Sequence, residues 1–344
     1  MDSTIPLSID QKFTTATQQH INGNLQQAEE NYKSILMSDP NYEPALQNYG
    51  LLQLQIKNFP LAEKLLQKVI SPSTTNEQLL VNFAMVKIQL RKIDEASLII
   101  EKILAINPDS KAGNGILSRI NLPGEEYLTY LGYFHEWLKP QLYVEVGVHH
   151  GNSLVLAGQS TQSIGIDPEP KVSHELNSNT QIYSQTSDSF FAKNNLNSVF
   201  NNRSIDLAFI DGLHTFEAAL NDLMNIEKHS NKDSIILIHD CIPMNKITSA
   251  RERTTDFWSG DVWKIVPCLK KYRPDLTIFT IPSPPTGLCV VTNFNPASTV
   301  LNENYENIIK EYVPLDFSYI ETNKNEMLNI VESDWKKIQK IIRE

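Results

Sequence analysis

The chain is poor in cysteine. Cys241, Cys268 and Cys289 are its three, and no two of them form a CxxC pair. That scarcity argues against a disulfide framework and indicates no structural zinc site; reduced, buried thiols in a cytosolic protein fit it better. Long apolar runs are also lacking, none approaching the roughly 20 residues that cross a bilayer. The opening MDSTIPLSIDQKF has no basic stretch followed by an apolar run, so it does not read as a secretory leader. The expected location is the cytoplasm, with no membrane partner. Cations are in deficit: Lys+Arg is 30 against Asp+Glu 40, a net charge of −10 at pH 7. A general affinity for nucleic acid or an anionic lipid surface is therefore not expected. GxGxxG is missing too, which makes a nicotinamide dinucleotide a poor fit.

What is present suits two domains. The chain has 344 residues, of which 41% are hydrophobic, enough to bury a real core. Its first third repeats itself. Ala28, Ala62 and Ala96 are spaced 34 residues apart, as are Ala16, Gly50 and Ala84 and the bulky Tyr32, Leu66 and Ile100. Pro40 and Pro108 stand two periods apart, while Pro72 comes two residues early. Two antiparallel helices per repeat approach closely only where side chains are small, and a proline ends the second helix. The pattern resembles the tetratricopeptide repeat over residues 9–112, about three repeats forming an all-α superhelix with a concave face. The resemblance implies a protein or peptide partner held by the repeats; self-association into a homo-oligomer is the other reading.

Residues 113–140 read as a linker followed by a packing helix. Gly113, Gly115, Pro123 and Gly124 are expected to loosen the helical structure. EEYLTYLGYFHEWLKP (125–140) then has the spacing of an amphipathic helix stopped by Pro140, with His135 and Glu136 expected at the surface.

From residue 141 to 296 short apolar runs alternate with polar ones. LYVEVG, SIGID, TQIYSQ, IDLAFIDG, SIILIHD, LTIFTIP and GLCVVTNF each read as a strand. Helices are expected in SHELNSN, SFFAKNNLNSVFNN and FEAALNDLMNIEKHS. The implied fold is a Rossmann-like, doubly wound α/β sheet of seven strands, whose ligands sit beyond the carboxyl ends of the strands. Those ends present Glu145, Gly147 and Gly151, then Asp167, Asp188, Asp211 with His214, and His239 with Asp240. An acidic Asp167, 22 residues after Glu145, can accept both ribose hydroxyls of a nucleoside, and Gly147 lets ligand and backbone approach. Asp188 can meet an adenine amino group.

VEVGVHHGNS and IGIDPEP resemble the first two motifs of class I S-adenosylmethionine-dependent methyltransferases. AFIDGLHTFEAALNDL, ILIHDCIP and FWSGDVWK resemble more narrowly a bacterial branch, the methyltransferase-24 group, akin to macrocin O-methyltransferase and cephalosporin-hydroxylase-like proteins. The resemblance covers residues 125–295 and implies S-adenosylmethionine as cofactor, with Glu145, Gly147 and Gly151 lining its loop, Asp167 on the ribose and Asp188 on the adenine. His149 departs from the family's central glycine and narrows the loop. Of His149 and His150, one is expected to face the cleft and the other solvent.

Two chemical roles compete for the remaining strand ends. In the first, the resemblance carries a divalent metal, magnesium or manganese, to Asp211 and Asp240, with His239 standing where the family has a second acidic ligand, an imidazole that favours manganese, iron or zinc over magnesium. In the second, His214 beside Asp211 is the general base. A structural role also fits, with Asp211 capping a helix and His239 packed in the core. Segment 246–264, bearing Arg251, Arg253, Trp258, Asp261 and Trp263, is read either as a cover over the acceptor or as a packed surface helix. Residues 297–344 are expected to form helices, ENIIKEYV and EMLNIVESDWKKIQKIIRE, that pack on the sheet or pair between subunits. The functional expectation is O-methylation of a small hydroxylated acceptor, a sugar or secondary metabolite. An interaction adaptor with an inert second domain and a methyltransferase acting on a protein held by the repeats are the alternatives.

Overall fold

A computed structural model describes residues 7–344; the leader reading falls partly on residues 1–6, outside the described residues. The chain divides into two compact units, one ending at Ile120 and the other running Asn121–Glu344.

The first unit is helical throughout: α1 (Ile9–Ile21), α2 (Leu25–Ser38), α3 (Glu43–Gln55), α4 (Phe59–Leu66), α5 (Glu77–Gln89), α6 (Ile93–Ile106) and α7 (Lys111–Asn121). Consecutive helices pair as α1/α2, α3/α4 and α5/α6, the arrangement of tetratricopeptide repeats. All five alanines of the small columns, and the bulky Tyr32, Leu66 and Ile100, are fully buried. Gly50 shows why the column is small: a Cβ there would lie 2.6 Å from Leu66 Cδ2. Pro40 and Pro108 stand two residues beyond α2 and α6, whose last carbonyl turns close at Asp39 and Asn107.

The linker expectation is corrected at α7, which is a continuous helix through Gly113 and Gly115. Gly113 is needed for packing: a Cβ would meet Ile103 and the Ser110 hydroxyl at 3.0 Å. The helix stops just short of Pro123.

The second unit opens with α8 (Tyr127–Leu138), as its apolar spacing requires. His135 is corrected from surface to interior, because it lies against Tyr143 at 4.6 Å between ring centroids, while Glu136 is exposed. All seven strands form: β1 (Leu142–Val146), β2 (Gln162–Ile166), β3 (Thr180–Tyr183), β4 (Leu207–Ile210), β5 (Ile235–His239), β6 (Thr277–Ile281) and β7 (Leu288–Thr292). Their order is β3-β2-β1-β4-β5-β7-β6. The first five run parallel, and β7 enters antiparallel between β5 and β6. β1, β4, β5 and β7 are buried along their whole length, which is why they read as continuous apolar runs. The chain reverses direction across the sheet between β1 and β4, so a crevice opens at their carboxyl ends.

SHELNSN forms no helix; the segment instead binds back to the turn before β2, the Asn177 and Asn179 side chains donating to the Gly158 and Gln159 carbonyls. SFFAKNNLNSVFNN gives α9 (Ser187–Lys193) and α10 (Leu196–Val199), and α11 (Phe216–Glu227) follows β4. α12 (Ile265–Tyr272) precedes β6. The tail is more broken than expected: α13 (Val300–Glu303), α14 (Tyr305–Tyr312), α15 (Ser318–Glu321), α16 (Lys324–Met327) and α17 (Trp335–Arg343). Asn329 takes a left-handed φ of 48°, and Ile330 makes a parallel bridge to Thr280 at the sheet edge, which splits the helix expected across 326–344. Through Trp335, Ile338, Ile341 and Ile342, α17 packs on the core shared by α8 and the sheet. Among the described residues, no helix is long and apolar enough to cross a membrane.

Candidate active site

The strand ends are fixed by backbone contact before any ligand is considered. Asp211 N–H donates to the Val146 carbonyl at 2.8 Å. Gly147 has φ 91°, and a Cβ there would fall 2.0 Å from the Asp211 carbonyl oxygen. The glycine is thus demanded by the junction of β1 with β4, beyond the approach of any ligand. Around this junction lies a crevice of about 770 Å³, a volume suited to a cofactor-sized molecule.

One side of the crevice is the loop after β1. Gly147, Val148, His149 and His150 line it, with Asp167 and Asp188 facing from the ends of β2 and β3. Asp167 organises the loop: its two oxygens accept from His149 N–H at 2.8 Å and Glu169 N–H at 2.7 Å. Each oxygen keeps a lone pair for a further donor. Both histidines reach the crevice wall, with rings 4.0 Å apart, so the expected division between cleft and solvent is not found. His149 holds φ 44°, where a side chain costs about 1–2 kcal/mol.

Two of the residues expected to line the loop sit elsewhere. Glu145 is fully buried beneath it, accepting from the Tyr143 hydroxyl at 2.6 Å and the Ser153 hydroxyl at 2.7 Å. Burial outweighs these bonds and lifts its carboxyl to about 8. Gly151, at φ 78°, packs towards Val172, and a Cβ would come within 3.2 Å of that side chain.

The other side gathers Asp211, His214, His239 and Asp240. His214 Nδ1 lies 3.0 Å from Asp240 Oδ2 and 3.1 Å from the Trp258 carbonyl, both acceptors. Nδ1 is therefore placed to donate, and Nε2 lies 3.7 Å from Asp211. The ring stacks on Trp258 at 5.3 Å. His239 is placed differently. Nδ1 meets Asp211 at 3.2 Å and Asp240 at 3.6 Å, while Nε2 lies 3.4 Å from the Thr286 hydroxyl. Burial opposes its charge, yet the two carboxylates prevail and raise it to about 9. Asp211 is burdened by burial but held below the usual carboxylate range by the His239 imidazolium, whereas burial leaves Asp240 raised.

Donor atoms of Asp211, His214 and Asp240 all lie within 4.8 Å of one another. Two carboxylates and an imidazole so disposed fit a divalent cation. The set read from the sequence, Asp211, His239 and Asp240, shares two of these residues; His239 Nδ1 meets Asp211 at 3.2 Å and its Nε2 lies near the Thr286 hydroxyl.

Segment 246–264 forms no regular helix before residue 262. Arg253, Asp256, Phe257 and Trp258 reach the crevice. Arg251 instead pairs with Glu217 and Asp261, Asp261 caps α11 by accepting from Phe216 N–H at 2.7 Å, and Trp263 is buried.

Sequence reasoning missed three lining residues. Tyr127 sits in the apolar spacing of α8, and its ring lies 4.2 Å from His239. Thr286, in the β6–β7 turn, donates to Asp240 at 2.6 Å. Asp222 looks like an ordinary polar position of α11, and only the crevice shows its orientation.

A doubly wound sheet with an acidic, glycine-bearing crevice at its switch point has the architecture of a nucleotide-type binding domain. More particularly, residues 144–241 match the family model described as a methyltransferase domain, of the methyltransferase-24 type. No curated protein matches the chain. Solved structures with partial similarity include MamA 41-end from Desulfovibrio magneticus RS-1, at 16% identity over 34% of this chain and 66% of that one, TM-score 0.32. A second is the first TPR of Spaghetti (RPAP3) bound to HSP90 peptide SRMEEVD, at 17% identity over 32% and 86%, TM-score 0.30. A third is the second TPR domain of human RPAP3 in complex with HSP70 peptide SGPTIEEVD, at 21% identity over 32% and 91%, TM-score 0.29. The chain spans just under two thirds of the first of the MamA structures, at 65%.

Proposed function

We propose that the second unit, with residues 141–296 as its catalytic domain, transfers a methyl group from S-adenosylmethionine to a hydroxyl of a small acceptor, a sugar or secondary metabolite. One observation carries the reading. A single crevice presents Gly147, Asp167 and Asp188 on one side and Asp211, His214 and Asp240 on the other. The first set suits an adenosine, the second suits a hydroxyl that must lose its proton.

The bound cofactor supplies an electrophilic methyl group, and the protein has to align the acceptor and take up its proton. Asp167 offers lone pairs to the ribose hydroxyls and Asp188 a carboxylate to the adenine amino group. His214, oriented through Nδ1–H by Asp240 and the Trp258 carbonyl, accepts the acceptor's proton at Nε2. In place of that role, His214 with Asp211 and Asp240 would hold a divalent cation, its Nε2 lone pair then spent on the metal, and the bound cation would lower the pKa of a coordinated hydroxyl. Trp258 and Phe257 supply apolar faces on which a ring can stack. The helical unit is read as the holder of a protein or peptide partner, or of a second copy of the chain, and the cytoplasm as the place of action.

Isothermal titration with S-adenosylhomocysteine tests the core of this. Binding in the micromolar range is expected, and Asp167→Ala should weaken it at least roughly tenfold. Absence of heat at millimolar ligand removes the methyltransferase assignment. Undiminished affinity in Asp167→Ala removes that residue from the ribose. Full turnover in excess chelator discards the cation.

A further inference from the structure

Most buried acids of the second unit have a strong partner. Glu227 on α11 pairs with Arg273 at 2.7 Å, Asp261 pairs with Lys264 at 2.8 Å, and Glu145 accepts two hydroxyls. Asp222 is different. It is only 2% exposed, on the same helix as Glu227, yet none of the groups that perturb it is a cation. Its hydrogen-bond partner is the Ser187 hydroxyl, and the neighbouring Asp188 repels it. A buried carboxyl so weakly supported costs stability.

Its direction supplies the reason. Asp222 and Ala218 lie one helical turn apart on one face of α11, and both line the crevice. Ala218 is small and takes up little of the crevice wall beside it. An Asp222 oxygen lies 3.9 Å from where a Cβ on Gly212 would stand. Ser187 and Asp188, at the start of α9, complete the same corner. This is the corner that the methyl-donor reading gives to the base.

We propose that Asp222 joins Asp188 as a specificity determinant for the cofactor's base, its carboxyl accepting the second hydrogen of the adenine exocyclic amino group while Ser187 flanks it. The inference rests on the methyl-donor reading and goes beyond it by naming what reads the base. Burial, moderated by the Ser187 bond, lifts the carboxyl to about 7. Near neutral pH a large share is therefore the uncharged acid, which accepts through its carbonyl and can also donate to a ring nitrogen.

The test uses the full chain and two ligands, S-adenosylhomocysteine and its purine analogue lacking the 6-amino group, titrated calorimetrically into wild type, Asp222→Leu and Asp222→Asn. Wild type should favour the amino compound by roughly tenfold or more, the size expected for a hydrogen bond that leaves a buried group unpaired when lost. Asp222→Leu should reduce that preference to roughly threefold or less, and Asp222→Asn, which keeps a carbonyl, should restore it. A wild-type preference of roughly twofold or less overturns the inference, whether or not the leucine variant folds. So does an undiminished preference in Asp222→Leu. If wild type binds neither compound, the methyl-donor reading falls and this inference with it; if it binds both equally, the inference alone falls.

Discussion

His135 offers a quantitative test of how the interior of the second unit is built. The side chain is 6% exposed, and neither ring nitrogen has a hydrogen-bond partner among the described residues. Its ring edge meets Tyr143, whose hydroxyl in turn binds Glu145 beneath the crevice loop. Burial alone lowers its pKa from 6.5 to about 4. Between these values the unfolded chain binds a proton that the folded chain refuses, so stability falls as pH drops. The contribution is whole above about 6.5, shrinks by about 1.4 kcal/mol per unit below it, and levels out under about 4. From about pH 7.5 to about pH 5 the loss comes to about 2 kcal/mol. His135→Phe removes the proton site and keeps a ring of similar shape. Urea denaturation followed by tryptophan fluorescence reports this unit alone, since Trp137, Trp258, Trp263 and Trp335 all lie within it. Wild type should lose about 2 kcal/mol more than the variant over that pH interval. Stabilities that fall in parallel, within about 0.5 kcal/mol, would refute the reasoning.

Three further outcomes follow from the crevice. Gly147→Ala drives a methyl group into the Asp211 carbonyl at a left-handed φ, so chemical denaturation should show at least about 3 kcal/mol lost and calorimetry no cofactor-product binding. His149→Gly relieves a left-handed side chain, and the second unit should gain about 1 kcal/mol in the same denaturation assay. In an NMR titration His239 should remain protonated to about 9, and Asp211→Asn, which deletes one of its two carboxylates, should lower that value by at least about one unit. The sign for stability is opposite to that of His135. The raised value means the His239 contribution is complete below 6.5 and is lost as pH climbs through about 9.

Much of the architecture was legible because burial on both faces leaves an unmistakable trace. LYVEV, LAFI, IILIH and LCVVT are apolar almost without interruption, and each is a fully buried strand. The 34-residue columns were legible for a related reason: where two helices touch, a position such as Gly50 tolerates nothing larger. Glycines in α7 misled because Gly113 serves close packing there and does not act as a breaker. SHELNSN misled because helix-compatible residues are outbid by Asn177 and Asn179 bonding to nearby carbonyls. At the site, the strand ends showed which residues converge, but not which way each turns. His214 and His239 are both next to acidic partners in sequence space, and only the fold shows that one is enclosed by carboxylates and a threonine while the other keeps a free nitrogen. Asp222 carried no signal, since one acid on an amphipathic helix is ordinarily solvated.

The Gly147–Asp211 junction has a consequence for how such a protein can diversify. On the proposed reading it welds the seat of the donor to the seat of the acceptor through main-chain atoms, so neither can be retuned by sliding a strand tip without unmaking the other. New acceptors must therefore be accommodated on the far wall, where Arg253, Phe257 and Trp258 rise from an irregular segment that owes little to the sheet. Swapping that segment should alter what is methylated while leaving untouched the grip on the donor.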